Sequence, residues 1–108
     1  MLDKSELDEE LIKEIVSVGG DYGRKIERCM KRMERISRAT SYLKRRIERS
    51  KGTPLMSLRL ALKLRKEFEL LKRSALNYRS SLIIYREALG LLKHREVFEL
   101  YNIESIEL

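Results

Sequence analysis

ALKLRKEFELLKRSALNYRSSLIIYREALGLL, residues 61–92, sets Ala61, Leu64, Phe68, Leu71, Ala75, Tyr78, Leu82, Tyr85, Leu89 and Leu92 at alternating steps of three and four. Such steps bring side chains to one seam of an α-helix, the a and d positions of a heptad, and a seam this long needs another helix against it. The pattern predicts a helix over about 54–93. Every e position beside the seam is basic: Arg65, Lys72, Arg79, Arg86 and Lys93. Leu62, Leu70, Leu76, Ile83, Ile84 and Leu91 fall outside the seam, so the helix must meet more than one neighbour. Gly90 is a weak point within it.

The partner lies immediately upstream. Ile26, Met30, Met33, Ile36, Thr40, Leu43 and Ile47 follow a 3.6-residue period, which predicts a helix over about 22–51 with Cys29 and Ala39 beside its apolar stripe. Its second half, KRMERISRATSYLKRRIERSKGTP (31–54), carries nine Lys or Arg against Glu34 and Glu48. On a helical wheel Arg24, Arg28, Lys31, Arg32, Arg35, Arg38, Arg45, Arg46 and Arg49 gather almost opposite the stripe, with Tyr42 among them. Gly52 suits the position just past a helix end, and Thr53-Pro54 suits an N-cap followed by proline at the first helical position. Two helices joined so tightly form an antiparallel hairpin.

Leu7, Leu11, Ile12, Ile15 and Val16 mark a short amphipathic helix over about 3–18. Gly19, Gly20 and Gly23, three glycines in five residues, predict a turn after it. The short helix would then fold back over the half of the hairpin remote from Gly52. After residue 93, Val97, Phe98, Tyr101, Ile103 and Ile106 keep no clear period, as expected of a tail over 94–108 that docks on its own chain or on a partner. The expectation is one all-α domain over 1–108. It is a long antiparallel hairpin with a short third helix at its N-terminus and a coiled-coil-like seam of Leu64, Phe68, Leu71, Tyr78, Leu82, Tyr85 and Leu89. Two helices cannot cover a wide stripe on each, so self-association, a dimer first, should complete the bundle.

Composition narrows the function. At 108 residues, 38% charged and 43% apolar with no Trp, the chain reads as helical and ordered. Abundant Lys, Arg and Glu with few amides is also the composition of proteins from hot environments. The net charge of +7 hides an uneven distribution. Residues 1–21 carry seven acids against two Lys, residues 22–93 twenty-one bases against six acids, and residues 94–108 four Glu against Arg95. The acidic ends either fold back on the basic middle, or the middle meets an external polyanion. Met1-Leu2-Asp3 begins an acidic stretch unlike a signal peptide, no apolar run approaches a membrane span, and a single Cys29 suits a reducing compartment, so a cytoplasmic location with no membrane partner is expected.

No motif names a chemistry. Cys29 falls on the apolar stripe, where a small core residue is the ordinary reading. His94 falls where the long helix should end, suited to the helix dipole. One His and one Cys do not make a zinc site, Glu-x-x-His is absent, and the glycines lack a phosphate-loop context. Tyr78 and Tyr85, one heptad apart at d, read as core tyrosines rather than a ligand box. The expectation is a protein without catalytic, metal or cofactor residues that works as an interaction or scaffold module. The alternative is backbone-led, weakly sequence-specific nucleic-acid binding through Arg28, Arg32, Arg35, Arg38, Arg45, Arg46 and Arg49, because Arg binds phosphate bidentately and cations repeated along a rod suit a phosphate backbone. Heptad-seamed hairpins occur among adaptors, chaperones and viral structural proteins, so the seam selects no family.

Overall fold

The computed structural model describes the backbone of residues 4–49 and 55–108, and the side chains of residues 17–49 and 55–108. Helix α1 runs Lys4–Arg49, α2 Leu55–Ala88 and α3 Arg95–Leu100, followed by a 3₁₀ turn at Ile103–Ser105. No strand occurs among the described residues. Helices α1 and α2 pack antiparallel: Tyr22 meets Tyr85, Lys25 lies over the Tyr78 ring and Arg32 pairs with Glu67, so ascending positions on one helix face descending ones on the other. The expected hairpin is present. The cap at Gly52, Thr53 and Pro54 lies outside the described residues.

The predicted turn at Gly19–Gly23 does not form. Helix α1 passes through all three glycines as one 46-residue helix, about 69 Å long at the standard rise. There is therefore no separate third helix over 3–18 and no fold-back over the hairpin. The reason is tertiary. Gly23 is buried, and a Cβ there would stand 2.5 Å from the Tyr101 hydroxyl, while a Cβ at Gly19 would touch the Tyr85 ring at 4.0 Å. Each glycine costs a helix about 1 kcal/mol relative to Ala. In return the missing side chains leave a smooth strip of helix on which two tyrosines lie.

The third layer comes from the other end of the chain. Helix α2 stops at Ala88, short of the expected 93, where Leu91 N–H donates to Arg86 C=O and Gly90 N–H to Glu87 C=O. With Gly90 at φ 85° this is a Schellman motif, and Gly90 is the stop rather than a flaw inside the helix. Leu89 and Leu92 consequently leave the seam and stand exposed. The chain then returns alongside the hairpin, and Val97 and Ile103 enter one core with Ile26, Met33 and Ile36 of α1 and Phe68, Ala75 and Leu82 of α2. Ser37 Oγ–H donates to Glu107 C=O, so the tail reaches the second half of α1. Of the two outcomes expected for the tail, it docks on its own chain.

The strap explains an asymmetry in the seam. The a positions Phe68, Ala75 and Leu82 are buried, whereas the d positions Leu64, Leu71, Tyr78 and Tyr85 are half-buried. The tail covers the side of the groove bearing the a and e positions and leaves the d side to water. The molecule is a rod of 75 × 26 × 15 Å with a radius of gyration of 20.0 Å, where a compact chain of this length would have about 13 Å.

Candidate functional site

Arg79, one of the basic e positions, is the buried ion among the described residues, at 7% exposure. Both its terminal nitrogens donate to the Glu104 carboxylate, Nη1 to Oε2 at 2.8 Å, and Nη1 also donates to Tyr101 C=O at 2.9 Å. Its guanidinium carbon lies 4.7 Å from the centre of the Phe98 ring. Hydrogen bonding from Arg79 holds the Glu104 carboxyl at about 2, well below its ordinary 4.5. This fork fastens the strap. Four tail glutamates beside five basic e positions were the legible signal for it; which Glu meets which base depends on the Gly90 reversal.

Arg86, one heptad on, donates to Lys93 C=O at 3.1 Å and to His94 Nδ1 at 3.4 Å. The His94 Nε2–H then faces Glu87 at 3.2 Å. His94 does not end the long helix as expected. It stands at the N-cap of α3, where its ring steadies the reversal. Cys29 is half-buried on the inner face of α1, and burial raises its thiol pKa while neighbouring Arg28 opposes the rise more weakly. Among the described residues no group of three His, Cys, Asp or Glu is placed to hold a metal ion.

The arginine face lies where the helical wheel puts it. Arg28, Arg32, Arg35, Arg38, Arg45, Arg46 and Arg49 are all exposed on α1. Arg32 is taken up by Glu67 across the groove, and Arg46 donates to the Tyr42 hydroxyl at 3.1 Å. Among the described residues, no ion pair joins Arg28, Arg35, Arg38, Arg45 or Arg49 to an acid. They recur over 21 residues of helix, about 32 Å. Near the hairpin tip Tyr42, Arg45, Arg46 and Arg49 enclose a surface hollow of about 380 Å³.

The tip itself is apolar as well as basic. Leu55, Met56, Leu58, Leu60 and Leu62, in the first turns of α2, are 62%, 77%, 40%, 47% and 61% exposed. They point in several directions, because a helix start with apolar residues all round cannot bury them against a single neighbour. Between the helices here a groove of about 510 Å³ has Leu58, Ala61, Leu62 and Phe68 in its apolar lining, and both signs of charge in Lys44, Arg65 and Lys72 and in Glu69 and Glu107. Thr40 lines it too, and its buried Oγ has no hydrogen-bond partner. The sequence set Leu62 outside the seam but did not single out Leu58, since exposure at the tip depends on how far the strap reaches.

No helix among the described residues is long and apolar enough to cross a membrane. No protein-family model, curated protein or solved structure matches the chain.

Proposed function

We propose that the chain is a non-catalytic α-helical interaction protein that works in a self-associated form, using the bare tip of its hairpin as the contact surface. The observation that carries this reading is the run of exposed large apolar residues Leu55, Met56, Leu58, Leu60 and Leu62 around the first turns of α2. A helix start that exposes large apolar residues on all its sides is suited to contact with another chain. The test is the mass in solution by light scattering coupled to size exclusion, for the wild type and for Leu58→Glu/Leu62→Glu. A multiple of the 12.8 kDa chain that falls to a single chain in the variant, with helicity retained, supports the reading. A wild type that stays a single chain at high micromolar concentration and binds no other protein through this tip overturns it.

A second reading rests on a different observation, the six arginines of α1, Arg28, Arg35, Arg38, Arg45, Arg46 and Arg49, without an acidic partner among the described residues. They suit a phosphate backbone, and with Tyr42 as the single aromatic on that face a row of base-stacking platforms is lacking. Fluorescence anisotropy with duplex DNA and single-stranded RNA across a salt series tests it. Binding through these residues should fall linearly on a log-log plot, and Arg38→Glu/Arg45→Glu/Arg49→Glu should flatten the slope by about 3. Salt-independent or variant-insensitive binding leaves the face as solvated surface.

A further inference from the structure

Because α1 is one unbroken helix, the acidic start of the chain is held away from its basic tip. Residues 4–15 carry five acids against Lys4 and Lys13. At the tip, residues 44–49 and 55–66 carry eight bases against Glu48. The centres of these two regions are about 54 Å apart along the helix. Opposite charges so far apart do not neutralise each other across a screening length of about 8 Å. Nor can the acidic segment reach the tip of its own chain without breaking α1.

The lengths are matched in a particular way. Helices α1 and α2 have 46 and 34 residues and meet at the 50–54 connection, so α1 is longer by 12 residues. That excess, about 18 Å, runs on past the level where α2 ends. It is the stretch 4–15. If a second copy is laid alongside end for end, these 12 residues come level with residues 38–49 of the other chain, the part of α1 that flanks the tip groove at Thr40 and Lys44. In sequence the stretch places Leu7, Leu11 and Ile15 four apart, with Glu6, Glu10 and Glu14 each directly before one of them. The groove offers apolar Leu58, Ala61, Leu62 and Phe68 to such a helix; its lining carries Lys44, Arg65 and Lys72 together with Glu69 and Glu107, and the excess of positive charge comes from the eight bases of the tip around it.

We infer that the groove at the hairpin tip is the seat for residues 4–15 of a second copy of this chain, so that two rods pair antiparallel and each arm fills the other's groove. This rests on the interaction reading above and names its partner. An amphipathic helix laid in an apolar groove is a recurring mode of recognition, and here the charges on the two sides fix the direction. The contact is isologous and occurs twice, which closes the assembly at two chains.

Two experiments decide it. In a Cys29→Ser background, Leu11→Cys/Leu58→Cys should yield covalent dimers on mild oxidation, while each single-cysteine chain should not, because equivalent positions lie at opposite ends of the pair. No cross-link, or a ladder of longer covalent multimers, overturns the closed pair. In the second, Glu9→Lys/Glu10→Lys/Glu14→Lys and Lys63→Glu/Arg65→Glu/Lys66→Glu are made on separate chains. Each alone should self-associate at least tenfold more weakly than the wild type, and an equimolar mixture should recover wild-type affinity as a heterodimer, with helicity by circular dichroism unchanged throughout. Failure of the mixture to pair overturns the seat. A wild type that is dimeric but indifferent to both charge reversals overturns the arm-in-groove contact and leaves the interaction reading standing; a wild type that is a single chain at every concentration removes both.

Discussion

Glu104→Gln isolates the charge that fastens the strap while keeping its shape. In the folded protein the Glu104 carboxyl is held at about 2 against an ordinary 4.5, chiefly by the hydrogen bonds from Arg79. At full value that difference corresponds to about 3 kcal/mol. With 54% of the Glu104 side chain open to solvent, screening leaves about 1–2 kcal/mol. Because the folded-state pKa is depressed, this contribution is complete above about 4.5 and fades as the pH falls from there toward about 2. Thermal unfolding followed at 222 nm should therefore show the variant melting below the wild type at pH 7, by about 4–8 °C for each kcal/mol lost. The gap should close on titration to acid, where the wild-type carboxyl also becomes neutral. A gap of the same size at pH 2 and pH 7 would refute the reasoning, and so would no gap at neutral pH.

Gly20 and Gly23 should respond in opposite directions to alanine. At Gly20 the nearest atoms to a new Cβ belong to the flexible Arg24 side chain, at 3.4 Å, so Gly20→Ala should stabilise by up to about 1 kcal/mol. Gly23→Ala should destabilise despite the same gain in helix propensity, and Tyr101→Phe should rescue it, because without the hydroxyl the next contact is Tyr101 Cζ at 3.5 Å; chemical denaturation of the three variants checks this. Ile103→Ala should cost about 2–5 kcal/mol in urea unfolding, since Ile103 is fully buried, whereas a strap that made no part of the core would leave the midpoint unchanged. Cys29 should react with a thiol reagent at pH 8 more slowly in the folded protein than in urea, as burial raises its pKa; equal rates would contradict that placement.

The hairpin was legible because its signals are local and repeated: the a and d residues from Leu64 to Tyr85 and the stripe from Ile26 to Thr40 each report their helix many times over. The arginine face followed from the same periodicity. Gly19, Gly20 and Gly23 misled because their helix cost is local, while what offsets it is Tyr101 and Tyr85, more than sixty residues away. Gly90 misled in the other direction. The heptad continues through Leu89 and Leu92, yet a single left-handed glycine ends the helix and turns the chain back. The strap had no period to read because it is built from one short helix, one 3₁₀ turn and single anchoring side chains. Arg79 looked like any other basic e position until the reversal placed Glu104 beside it.

The close approach of Tyr101 to the bare backbone at Gly23 also constrains how this sequence can drift. A side chain at position 23 and a hydroxyl at position 101 crowd each other, so that one must shift, although each is accommodated when the other is absent. A lineage that exchanges the glycine for alanine loses less stability if the hydroxyl goes first, and one that has gained alanine recovers tyrosine only at a cost. The two positions should vary as a pair among relatives of this chain, in an order set by one oxygen atom.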